Sequence, residues 1–187
     1  RFPSVHMDQY EEIASISQGV ASAFELKEGP FYLQLLIGEE GIKVNELACR
    51  IGGAFEDVTI PWLTGFDILK AVMDLSLGRE VDFYKWKGFR CDQVKRCAGV
   101  QLLFCRPGTV SDLTPLEKLK ELPFVLDCGY NYQVGQTIPA ALNATARFGH
   151  CVIVGEPENI KESIDEFYRP LQVLSPKGEN LASRLYP

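Results

Sequence analysis

Histidine is nearly missing from this chain, whose 187 residues include two, His6 and His150. A histidine-rich metal centre is thereby excluded, and nucleophilic catalysis through a histidine base has little support. The cysteines, Cys49, Cys91, Cys97, Cys105, Cys128 and Cys151, show no Cys-x-x-Cys spacing, so no zinc pattern is present. Cys105 and Cys151 sit in apolar, strand-like runs where thiols pack as small hydrophobes, and all six are read as reduced. No apolar segment is long enough to span a membrane, and the N-terminus lacks a signal-peptide pattern, so a cytoplasmic location is expected. Excess positive charge is also lacking: 19 Lys and Arg against 25 Asp and Glu give a net charge of −6. A pI near 5.0 argues against nucleic acid as a partner. The local cluster Lys85, Lys87, Arg90, Lys95 and Arg96, interleaved with Tyr84, Trp86 and Phe89, reads as a solvated linker with aromatic anchors.

What the chain does have is enough apolar content, 46%, for one or two cores. Two domains are expected, 1–80 and 81–187. Asp8 to Phe24 reads as an amphipathic helix with Tyr10, Ile13, Ile16, Val20 and Phe24 on one stripe, ended by Gly29-Pro30. Helical periodicity returns from Val58 to Leu77, interrupted by Pro61 and Thr64-Gly65, with Asp67 as a capping acid. Residues 81–96 are a connector. Strands at 99–105, 124–130 and 148–154, helices at 116–121 and 158–168, and a last short strand at 171–174 then give a β-α-β-β-α-β order, the split βαβ arrangement. The long segment 131–147, ending in Arg147, reads as a loop.

The chemistry lies in the hairpin of residues 31–47. Residues 31–37 are β-prone, Gly38-Glu39-Glu40-Gly41 is a turn, and 42–47 resumes as a strand. A three-residue loop with Gly41 in the left-handed position pairs Gly38 with Ile42 and sets Gln34 opposite Glu46. Directly paired side chains project to one face, so a carboxamide oxygen and a carboxylate form a candidate hard-cation site. This register also places Glu46 with Ile42, Val44 and Ala48, where a buried carboxylate needs a partner or a metal. Arg50 is either that partner or a bidentate phosphate ligand. Gly52-Gly53 supplies backbone N–H groups that can turn toward an anion.

The run Asn45-Glu46-Leu47-Ala48-Cys49-Arg50-Ile51-Gly52-Gly53, followed by Trp62-Leu63-Thr64-Gly65-Phe66-Asp67, resembles the C-terminal end of an ATP-grasp domain. In that family a strand carries Glu-x-Asn-x-Arg or Glu-x-Ala-x-Arg, then a glycine-rich loop and a helix introduced by Thr-Gly-x-Asp. The resemblance implies that Glu46 is a Mg²⁺ ligand, that Arg50 contacts the transferring phosphoryl group and that Gln34 is the other metal ligand. A Gln at that position is similar to carbamoyl-phosphate synthetases, and Ala48 in place of the commoner Asn is similar to the branch holding the purine-pathway carboxylase subunit. The run Gly149 to Gly155 resembles a glycine-bounded strand of the amino-acid ligase branches.

The implied fold is α+β: the C-terminal half of an ATP-grasp domain, an antiparallel sheet with helices, followed by a small split-βαβ domain. The implied function is that of a fragment of an ATP-dependent carboxylate–amine ligase using ATP and Mg²⁺. Its partners would be small-molecule carboxylate and amine substrates and N-terminal lobes of the same protein, expected to precede residue 1 and without which the chain is inactive. Exposed sheet edges allow a homodimer. The alternative is a non-catalytic dimerisation or regulatory module of the same ancestry, in which Gln34 and Ala48 mark a lost metal site.

Overall fold

The computed structural model describes every residue except 87, 141–142, 144–145 and 185–187, and the Lys85 side chain. Lys87 of the basic cluster, and four positions of the 131–147 loop, therefore lie outside the described residues. The chain divides between Val94 and Lys95 into two compact units, with Arg1–Phe2 belonging to the second.

The first unit, Pro3–Val94, opens with a 3-10 turn at Met7–Gln9 that leads into α1 (Tyr10–Ala23). Tyr10, Ile13, Ile16 and Val20 are half-buried as their spacing predicts, but Phe24 lies past the helix end and is 64% exposed. The hairpin follows as β1 (Tyr32–Gly38) and β2 (Gly41–Ala48), then α2 (Glu56–Thr64) and α3 (Ile68–Ser76). Pro61 sits inside α2 instead of breaking it. The break comes at Gly65, whose φ of 75° stops α2. Asp67 then caps α3, its Oδ1 accepting the Lys70 N–H at 2.8 Å. Thr-Gly-x-Asp is thus a helix stop followed by a helix start.

The expected connector is anchored within this unit. Trp86 lies edge-on to Phe66 at 5.3 Å and to Phe89 at 6.1 Å. Arg90 bonds Glu11 at 2.6 Å and Asp92 at 2.8 Å, and stacks 4.8 Å over the Tyr10 ring. Arg90 is therefore neutralised locally.

The second unit carries β3 (Cys97–Cys105), β4 (Gly108–Thr109), β5 (Asp112–Leu113), α4 (Leu116–Lys120) and β6 (Val125–Tyr130). It continues through β7 (Thr137–Ile138), β8 (Gly149–Gly155), α5 (Ile160–Tyr168), β9 (Val173–Leu174) and β10 (Ala182–Ser183). Its main sheet has the order β10-β3-β8-β6, every neighbour antiparallel. The expected closing strand at 171–174 does not join it: β9 pairs with β5, and the edge beside β3 is taken by β10. Segment 131–147 is not all loop, since β7 pairs with β4.

One face of this sheet carries the core. Cys97, Leu103, Cys105, Cys128, Cys151 and Ile153 pack with Leu119 of α4 and with Ile160 and Phe167 of α5, and Phe148 stacks on Tyr132. In the first unit only Thr59 and Ala71 are buried among the described residues.

The two glycines that bound β8 differ in what they face. A Cβ on Gly149 would lie 2.3 Å from the Gly129 carbonyl oxygen, whereas one on Gly155 would meet nothing within 4 Å. Gly149→Ala must push β6 aside and should cost about 1–3 kcal/mol in urea unfolding, while Gly155→Ala should change stability by less than about 1 kcal/mol.

All six cysteines are free thiols. Burial pushes Cys105 up to about 12 and Cys151 higher still, while Cys49 is exposed. Iodoacetamide at pH 8 should therefore modify Cys49 first and leave Cys97, Cys105, Cys128 and Cys151 intact until denaturant is added, as read by mass spectrometry.

Candidate functional site

The hairpin brings Gln34 and Glu46 directly opposite each other, by a different route from the one the turn pattern predicts. The strands close around Glu39-Glu40 with Gly38 paired to Gly41, so the connection has two residues and not three. Ile37 then pairs with Ile42, Leu36 with Lys43 and Leu35 with Val44; the register shifts, and Gln34 pairs with Glu46. Asn45 is the extra residue.

Because side chains alternate across a strand, one extra residue sends everything after it to the opposite face. Leu33, Leu35 and Ile37 of β1 share a side with Ile42, Val44 and Leu47 of β2. Tyr32, Gln34 and Leu36 share the other with Lys43, Glu46 and Ala48. The expectation that Glu46 lies with Ile42 and Val44 on an apolar face is thus corrected. The bulge at Asn45 moves it to the polar side, where it is exposed, as Gln34 is.

Arg50 reaches the same side from just past the end of β2. Its guanidinium lies 5.8 Å from the centroid of the Tyr32 ring, and its Nη1 donates to the Ile51 carbonyl at 2.9 Å. Among the described residues no ion pair joins it to Glu46, so the salt-bridge alternative is not what the structure adopts. Gln34 and Glu46 thus face each other on the exposed side of the hairpin that carries Tyr32, against whose ring Arg50 lies.

The glycine loop behaves differently at its two positions. Gly53 is open, with nothing within 4 Å of a Cβ placed there. At Gly52 the Glu56 carboxylate occupies that space, with Oε1 2.3 Å from the site of a Cβ. Its Oε2 accepts the Ala54 N–H at 2.7 Å. Neither glycine has a positive φ; Phe55 takes the left-handed conformation instead, at φ 65°. The internal carboxylate thus takes the Ala54 N–H, one residue past the two glycines whose N–H groups are expected from the sequence to face an anion.

Sequence reasoning missed Asn45 as a participant, and Glu56. The signal for Asn45 was the broken parity of Ile42, Val44 and Leu47. The signal for Glu56 was an acid at the first helical position behind two glycines.

The donor set fits a hard cation. Gln34 and Glu46 offer neighbouring oxygens on a solvated face, and Mg²⁺ takes one or two protein oxygens and completes its octahedron with water and phosphate. No cluster of three or more His, Cys, Asp or Glu suited to a metal occurs among the described residues.

Comparison with known proteins finds similarity in both sequence and fold. Residues 100–173 match the model of the L-amino acid ligase C-terminal domain 2. Over 151 residues the chain is 25% identical to an L-arginine-specific L-amino acid ligase of Bacillus subtilis, covering 80% of this chain and 35% of that protein. In sequence the chain is thus similar to L-amino acid ligases, and its residues 100–173 to their C-terminal domain 2. The fold agrees: an L-amino acid ligase from Bacillus licheniformis superposes with a TM-score of 0.74 at 19% identity, over 94% of this chain and 44% of that one. A phosphoribosylglycinamide synthetase from Anaerococcus prevotii gives 0.76 at 10% identity, over 93% and 44%. The chain thus spans about a third of the curated relative and under half of these two structures. Among the described residues no helix is long and apolar enough to cross a membrane.

In this glycine loop, Gly52→Ala should displace the flexible Glu56 side chain and remove its bond to the Ala54 N–H. The expected loss is about 0.5–1.5 kcal/mol by thermal denaturation. In a Glu56→Ala background the same substitution should be nearly silent.

Proposed function

We propose that this chain is the C-terminal part of an ATP-dependent ligase that joins a carboxylate to an amine. The observation that carries the reading is the pairing of Gln34 with Glu46 on an exposed face that Arg50 also reaches. The remaining lobes of the same polypeptide would supply the adenine pocket and the walls of the substrate site. The strand order of the second unit is compatible with a split-βαβ closing domain.

In this reading Glu46 and Gln34 would hold Mg²⁺, which would supply charge neutralisation of the β- and γ-phosphates of ATP for in-line transfer. Arg50 exchanges its bond to the Ile51 carbonyl for the transferring phosphoryl group and stabilises the charge that develops there. The open backbone at Gly53 allows close approach of an anion. A carboxylate oxygen of the first substrate attacks the γ-phosphorus and ADP leaves, giving an acyl phosphate. The amine nitrogen then attacks the acyl carbon, the C–O bond to phosphate breaks, and the nitrogen loses a proton. The products are an amide, ADP and phosphate.

The alternative, a non-catalytic module, would draw support from a buried Glu46 paired only to Arg50. Glu46 is exposed instead.

The test is amine-dependent phosphate release from Mg-ATP by the full-length polypeptide across a panel of amino acids. Glu46→Ala and Arg50→Ala should each lower kcat at least about a hundredfold, the scale of losing one charge-stabilising group. Absence of both turnover and Mg-ATP binding in the unsubstituted protein would favour the structural module.

A further inference from the structure

Asn45 is not only the residue that shifts the register. Its Nδ2 donates a hydrogen bond to Oε1 of Gln34, the oxygen assigned above to the cation. A glutamine is an ambiguous metal ligand, because a half-turn about its last bond exchanges the carbonyl oxygen for an NH₂ that no cation accepts. An amide donor aimed at Oε1 removes that ambiguity: it stabilises the rotamer with the oxygen toward Asn45 and leaves the second lone pair of the same oxygen available. The bulge puts the donor there. In a regular ladder Gln34 would pair with Asn45 itself, and Glu46 would fall on the Leu33 side. With the shift, Asn45 is adjacent to the Gln34–Glu46 pair without displacing either member.

We infer that Asn45 is a positioning residue that fixes the carboxamide of Gln34 with its oxygen presented to the bound cation. This rests on the ligase reading of the site. The role is specific to glutamine: a carboxylate at position 34 has two equivalent oxygens and needs no such partner.

The experiment titrates Mg²⁺ in ATP-dependent turnover of the full-length polypeptide and, in parallel, measures Mn²⁺ binding to its ATP complex by electron paramagnetic resonance. Partners that orient a metal ligand typically contribute ten- to a hundredfold in affinity. Asn45→Ala should therefore raise the Mg²⁺ concentration for half-maximal rate about tenfold, while kcat at saturating Mg²⁺ and the melting temperature stay near the parent values. Asn45→Asp separates positioning from charge. An acceptor at 45 draws the Gln34 NH₂ toward it and turns the oxygen away, so cation affinity should fall although a negative charge has been added. In a Gln34→Glu background, Asn45→Ala should have little effect on the Mg²⁺ requirement.

An unchanged Mg²⁺ requirement in Asn45→Ala, tighter cation binding in Asn45→Asp, or an undiminished effect in the Gln34→Glu background would each overturn the inference. Glu46→Gln tells the two levels apart. If it leaves the metal dependence untouched, the ligase site fails and this role with it; if it weakens the metal while the Asn45 variants do not, only the positioning role fails.

Discussion

A β-strand has two faces, and the side on which Glu46, Leu47 and Ala48 of β2 emerge is decided by Asn45, the extra residue in the ladder. With it, Gln34 and Glu46 are opposite neighbours on one surface, and Tyr32 on that surface gives the Arg50 guanidinium a ring to lie over. Without a register shift Glu46 would share the Leu33, Leu35 and Ile37 side, where a carboxylate has no oxygen-donor companion and meets half-buried apolar chains. The site is therefore assembled by backbone pairing, not by attraction between its charged members. That leaves Glu46 and Arg50 unpaired with each other and open to ions of the opposite sign.

Much of this was legible from residues alone, though one step came right for the wrong reason. A three-residue loop and a bulge at Asn45 each offset the strands by one position. Placing the offset in the loop still predicts the Gln34–Glu46 pair, but it misassigns the face of Glu46. Alternation across Ile42, Val44 and Ala48 conceals the shift, because Ala48 suits either environment; Leu47 is the position that breaks the pattern. The helix boundaries at Gly65 and Asp67 were readable because stop and cap each have a local chemical cause. Phe24 was misplaced because periodicity continues on paper beyond the point where α1 ends at Ala23.

The two units carry their kinship differently. In the first, the resemblance read from sequence resides in a few candidate residues spread along a hairpin and a loop, and only Thr59 and Ala71 are buried among the described positions. In the second, the family model matches residues 100–173, a stretch with no chemical motif of its own but with the alternating apolar residues of β3 and β8 and the amphipathic α5. Core packing constrains many positions weakly, and such a signal is visible to a model of the whole domain more than to the reading of motifs. The edge strand shows the limit of pattern. Val173–Leu174 is more β-prone than Ala182–Ser183, yet it is Ala182–Ser183, beyond the turn at Ser175–Gly178, that takes the edge beside β3.

The bonds that occupy the candidate site are of a kind that a ligand can replace. Arg50 to the Ile51 carbonyl and Glu56 to the Ala54 N–H are exposed contacts, each with a net stabilisation of order 1 kcal/mol because water competes for both partners. An incoming phosphate offers Arg50 a charged acceptor in place of a carbonyl, a stronger exchange. At the loop the balance is closer, since Glu56 is itself an anion against Gly52, and any anion entering there meets its repulsion as well as the N–H it must share. Under the proposed function the site would thus be biased toward anions that also engage Arg50 or a cation held at Gln34 and Glu46. A lone anion at the glycines would have no such compensation, so under the proposed function the internal carboxylate would favour a metal-bound phosphate over a free one.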